Sequence, residues 1–70
     1  MKKMIPFYLN GQKYMTQNSI TLAQLLNYFN YNTELLVVEY NKFICPKKLW
    51  DTLKITENNT IEIISIVGGG

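Results

Sequence analysis

Apolar positions open the chain with a period of two. Ile5, Phe7 and Leu9 alternate with Pro6, Tyr8 and Asn10, which predicts a half-buried strand. Asn10-Gly11 follows, the pair best suited to a two-residue hairpin turn that needs positive φ at both central positions. Gln12 to Met15 then returns as a second strand, with Lys13 and Met15 on one face and Tyr14 on the other. Pro6 has no N–H to give a ladder, so it belongs at a strand start or facing away from a partner.

The period then changes to that of a helix. Leu22, Leu25, Leu26 and Phe29 fall at i, i+3, i+4 and i+7 and form one apolar stripe, with Gln24, Asn27 and Tyr28 off it. Thr21 and Gln24 read as a T-x-x-Q capping box at its start, and Ile20 and Leu25 as a hydrophobic staple. The spacing predicts a helix over 22–29, ended by Asn30-Tyr31-Asn32-Thr33.

Leu35-Leu36-Val37-Val38 is a continuous apolar run of the kind expected of a strand buried on both faces. Tyr40-Asn41-Lys42-Phe43 turns the chain into a short strand, Phe43 to Cys45, which Pro46 closes. Lys47-Lys48-Leu49-Trp50 has room for one helical turn, and Glu57-Asn58-Asn59 makes a polar turn. The last strand is Ile61 to Val67, with Ile61, Ile63 and Ser65 facing one way and Glu62, Ile64 and Ile66 the other.

Two strands, one helix, two strands, a short turn and a final strand suit an α+β β-grasp sheet. The first and last strands are then parallel neighbours, and the helix lies across one sheet face. A split ferredoxin-like domain would need a second full helix, for which the stretch between Pro46 and Thr60 is too short. Residues 1–67 read as one domain and 68–70 as a tail.

Composition removes several kinds of chemistry. The 70 residues contain no histidine, no arginine and one cysteine. A histidine-based triad, a Cys/His zinc site and an intrachain disulfide are therefore excluded. A net charge of +2 without a basic run gives no nucleic-acid footprint. The doublets Lys2-Lys3 and Lys47-Lys48 read as solvated surface. No apolar stretch approaches the roughly 20 residues of a membrane helix, and no apolar segment follows Met1-Lys2-Lys3 as a signal peptide requires. The abundant Asn, Ile, Lys and Tyr all use A/T-rich codons, which points to an A/T-rich bacterial or organellar genome.

The candidate chemistry lies at the end of the sequence, Val67-Gly68-Gly69-Gly70. Glycines without side chains form a thin thread whose carboxylate can enter a narrow site in another protein. Cys45, between Ile44 and Pro46, reads as a packed small hydrophobe rather than a sulfur donor. Leu49 and Trp50 read as packing residues, and Glu39 and Glu62 as solvent-facing. Alternation puts Tyr8, Ile64 and Ile66 on the sheet face opposite the helix, as a partner-docking patch.

Taken together, these residues resemble the sulfur carrier proteins of thiamine biosynthesis, the ThiS family of ubiquitin-like β-grasp proteins. The resemblance rests on Leu9-Asn10-Gly11, Thr21-Leu22-x-x-Leu25-Leu26, Val37-Val38-Glu39-Tyr40-Asn41, Pro46-Lys47-x-x-Trp50, Ile61-Glu62-Ile63-Ile64 and the terminal glycines. It spans the whole chain. One departure is that Glu57-Asn58-Asn59 stands where members often have a Gly-Asp turn; the third glycine is another.

The resemblance implies a carrier that is not itself an enzyme. An E1-like adenylating enzyme, using ATP and Mg²⁺, would activate the Gly70 carboxylate. Sulfur from a cysteine desulfurase or rhodanese-type donor would then displace AMP and leave a thiocarboxylate. Thiazole synthase would take that sulfur. No bound cofactor, metal, nucleic acid or membrane is implied, and the location would be bacterial cytoplasm or plastid stroma. Two alternatives share the fold and the glycine end: a small subunit of molybdopterin synthase, whose members are longer and carry Arg near the first strand, and a ubiquitin-like protein modifier. Leu9-Asn10-Gly11 and the missing arginine favour the thiamine carrier.

Overall fold

The hairpin forms as its sequence dictates. In the computed structural model, which describes residues 3–66, strands β1 (Ile5–Leu9) and β2 (Gln12–Thr16) pair antiparallel around Asn10 (φ 51°) and Gly11 (φ 82°). Phe7 and Leu9 are buried beneath the helix, and Tyr14 stacks on Phe7 at 5.9 Å between ring centroids. Helix α1 (Leu22–Tyr28) starts from the expected capping box. The Gln24 N–H donates to Thr21 Oγ1 (3.1 Å), and the Thr21 N–H donates to Gln24 Oε1 (2.9 Å). Two further first-turn donors, the N–H groups of Leu22 and Ala23, reach the carbonyls of Leu53 and Trp50. The helix N-terminus is thus stitched to the segment before the last strand.

A 3₁₀ turn at Thr33–Leu35 leads into β3 (Leu36–Tyr40), a two-residue β4 (Phe43–Ile44), a second 3₁₀ turn at Lys47–Leu49, and β5 (Asn59–Ser65). The sheet order is β2-β1-β5-β3-β4. The β1–β5 pair is parallel and the other pairs are antiparallel. This is the mixed five-stranded sheet with one main helix expected of an α+β, ubiquitin-like β-grasp fold. The core is Phe7, Leu9, Leu22, Leu25, Leu26, Val38, Cys45, Trp50, Ile55 and Ile61.

Three local expectations are corrected. The apolar run at 35–38 is not one strand buried on both faces: Leu35 belongs to the preceding 3₁₀ turn, and β3 runs on through Glu39 and Tyr40. Only Val38 in that strand is fully buried, because the helix covers one sheet face and no described element covers the other. The short fourth strand ends at Ile44, although the Cys45 N–H still reaches the Val38 carbonyl at 2.8 Å. The last strand begins two residues early, at Asn59, whose buried side chain accepts from the Thr56 N–H and hydroxyl. Val67, where that strand was expected to end, lies outside the described residues.

Candidate functional site

The site is built around the end of β5, where the body hands over to the glycines. β3 lies along one side of this strand, in a register from Leu36 opposite Ser65 to Tyr40 opposite Ile61. β1 lies along the other side only as far as Leu9, which pairs with Ile61. Beyond that point Asn10 replaces the missing strand. Its backbone N–H donates to the Ile61 carbonyl (2.8 Å), and its Oδ1 accepts from the Ile63 N–H (2.8 Å). One residue thus makes the turn and extends the ladder. At the exit, the Ile66 N–H donates to the Leu35 carbonyl at 2.9 Å, so the strand is held up to the last described residue. Gly68, Gly69 and Gly70 lie outside the described residues.

Of the expected docking residues, Tyr8 and Ile64 share the sheet face away from the helix. Tyr8 pairs with Thr60 and Ile64 with Val37. Four strand residues separate the two levels, about 13 Å at 3.3 Å per residue. Tyr8 is half-buried, while Ile64 and Ile66 are exposed. Glu62 lies between them along β5 and stands directly opposite Glu39. Neither carboxylate forms an ion pair among the described residues, whose two pairs are Lys3–Glu57 and Lys47–Glu34.

On the helix side of the β5 exit lies a shallow cavity of about 250 Å³ lined by Tyr31, Asn32, Leu35, Leu36, Ile63 and Ser65. Sequence reasoning missed it. The apolar run 35–38 is the available signal, but its hydropathy alone does not distinguish a cavity wall from a buried strand. A larger open groove between β2 and α1 is floored by Phe7, Tyr14, Leu25 and Phe29.

Cys45 is 6% exposed, and burial raises its thiol pKa above the ordinary range. It sits in the core beside Trp50, whose indole N–H donates to the Cys45 carbonyl at 3.1 Å. A buried thiol held protonated is a packing residue, and Trp50 is core as well. Among the described residues no group of three His, Cys, Asp or Glu side chains could hold a metal ion, and no helix is long and apolar enough to cross a membrane.

The ThiS family pattern matches residues 7–70, from β1 through the last glycine. The chain belongs to the ThiS family. The family places it among thiamine-related sulfur carriers. The crystal structure of the thiamine biosynthesis protein ThiS from Geobacter metallireducens superposes with a TM-score of 0.81 at 20% identity, covering 94% of this chain and all of that one. The ycf40 protein of Trieres chinensis is 58% identical over 64 residues, spanning 91% of this chain and 88% of that protein. The ycf40 protein of Porphyra purpurea is 34% identical over the full 70 residues, 99% of its own length. The ycf40 relatives come from plastid genomes. A thiazole synthase from Magnetococcus marinus is 29% identical over 63 residues, 90% of this chain and 19% of that protein.

Proposed function

We propose that this ThiS-family protein carries sulfur for the thiazole moiety of thiamine as a thiocarboxylate on Gly70. The observation that carries the reading is the family match itself, which continues past the last described residue through Gly70. The chemistry needs no side chain of the carrier. An oxygen of the Gly70 carboxylate attacks the α-phosphorus of ATP, held with Mg²⁺ in an E1-like adenylating enzyme, and pyrophosphate leaves. The outer sulfur of a persulfide on a cysteine desulfurase or rhodanese-type donor then attacks the acyl carbon and expels AMP, and a thiol reductant cleaves the resulting acyl disulfide to leave the thiocarboxylate. Adenylation supplies the leaving group that a bare carboxylate lacks.

Thiazole synthase is the acceptor in this scheme. A stretch similar to this chain makes up about a fifth of the Magnetococcus marinus protein of that name, which supports placing carrier and synthase in contact. The exposed sheet face with Tyr8, Ile64 and Ile66 serves as a docking surface, and the carrier works in the plastid stroma. Gly69 keeps the approach to the reacting carboxylate slim, and Gly68 lengthens the arm. The protein acts as a co-substrate and performs no catalysis of its own.

The test is intact mass after incubation with the adenylating enzyme, ATP, Mg²⁺ and a sulfur source. Replacing one oxygen by sulfur adds about 16 Da, because sulfur and oxygen differ by that mass, and the protein must retain its fold. A stable mass without that gain, under conditions that load a known ThiS carrier, removes the reading. Covalent adducts through Gly70 to lysines of other proteins would favour the modifier alternative.

A further inference from the structure

The thread of glycines offers an enzyme almost nothing to recognise, so recognition must come from the body close to the thread's root. Ile66 is fixed to the Leu35 carbonyl, and four residues follow it. Fully extended, four residues span at most about 14 Å. A partner that grips Gly70 therefore covers the β5 exit of the molecule. The concave apolar feature at that exit is the cavity whose wall is Leu35, Leu36 and Ile63 and whose polar rim is Tyr31 and Asn32. Leu35 is 40% exposed and lines this cavity together with Leu36 and Ile63. The Asn32 side chain accepts from the Glu34 N–H (3.1 Å), and the Leu35 N–H reaches the Asn32 carbonyl (3.1 Å), so the 3₁₀ turn that shapes the wall is internally braced.

We propose that this notch is a recognition pocket for one apolar side chain of the adenylating enzyme, seated there while the enzyme holds the glycine tail. The inference rests on the carrier reading and adds a binding element beside the reacting carboxylate. The occupant is apolar because the wall is aliphatic. At about 250 Å³ the cavity has room for a single large side chain. The notch ties binding to delivery: a partner seated on Leu35 touches the residue that anchors the root of the thread.

The test is ATP–pyrophosphate exchange by the adenylating enzyme as a function of carrier concentration, with thermal unfolding of each variant alone. Leu35→Lys puts a charge on the wall and is expected to raise KM for the carrier about tenfold with kcat nearly unchanged, the loss of roughly one buried apolar contact. Leu35→Met should keep the wild-type KM, and Gln17→Ala, on an exposed residue away from the exit, serves as the control. Wild-type exchange with an unchanged KM for Leu35→Lys overturns the notch and leaves the carrier reading standing. No exchange by the wild-type protein overturns both. If Leu35→Lys and Val67→Ala lower the unfolding midpoint equally without enzyme, the notch is filled from within the chain, and the proposal falls.

Discussion

Asparagine accounts for eight of the 70 residues, and codon bias alone explains neither where they sit nor what they do. Among the described residues, five non-glycine residues adopt positive φ, and four of them are asparagines: Asn10, Asn30, Asn41 and Asn58. Asparagine tolerates this region because its short amide can bond locally. Two of these also bond across the sheet: Asn10 to Ile63, and Asn41 through an Oδ1 that accepts from the Thr60 N–H at 2.9 Å. Asn10→Ala should thus lose a favoured turn residue and leave the Ile63 N–H without its acceptor. A destabilisation of about 1–3 kcal/mol is expected in urea unfolding. The fifth residue is Lys42, at φ 73° in the β3–β4 turn. Glycine occupies that region freely, so Lys42→Gly should raise stability by about 0.5–1 kcal/mol in the same assay. Cys45 gives a third residue-scale outcome. The folded thiol ionises at higher pH than the unfolded one, so native protein should react with iodoacetamide far more slowly than denatured protein at pH 8. With more protons held by the folded state, this group also lowers stability as pH rises above the ordinary thiol range.

Among the elements, β5 carries both the fold and the exit to the glycines. It is the central strand, parallel to β1 and antiparallel to β3. Glu62 faces Glu39 directly across the β3–β5 pair, and like charges at that position oppose pairing. Glu62→Lys converts the pair to opposite charges. A gain of about 0.2–1 kcal/mol is expected, read as a higher urea midpoint at low salt that fades as salt is added. The hairpin, the capped helix and the parallel β1–β5 neighbours were legible because each has a local signal: Asn-Gly, T-x-x-Q and an apolar period. The boundaries of β3 and β5 were not. Leu35 is as apolar as Leu36, and what separates them is the Asn32-capped 3₁₀ turn, which hydropathy does not register. Asn59 begins β5 because its side chain accepts from Thr56 three residues earlier, a local side-chain bond that alternation does not register.

At the scale of the whole molecule, the proposed function divides the work between the body and the closing glycines. The family was legible from the order of elements together with the closing glycines, whereas the notch beside the exit was not. It is assembled from Tyr31, Leu35, Leu36 and Ile63 on separate elements that only the folded chain brings together. Among the described residues, every buried core residue lies between Phe7 and Ile61, and the last described backbone bond into the body is from Ile66. Stability should therefore reside in the body and reactivity in the thread. Deleting Gly69 and Gly70 is expected to leave the thermal midpoint within about 2 °C of wild type, since shifts of roughly 4–8 °C accompany each kcal/mol in a domain of this size. The same deletion should abolish the gain of about 16 Da on loading, because the reacting carboxylate would sit two residues short of the adenylating centre. Each missing residue withdraws it by about 3.5 Å, several times the misplacement that costs a hundredfold in rate. A large fall in midpoint would mean that the glycines hold the fold together. Full loading of the shortened chain would mean that reach is not what the thread provides.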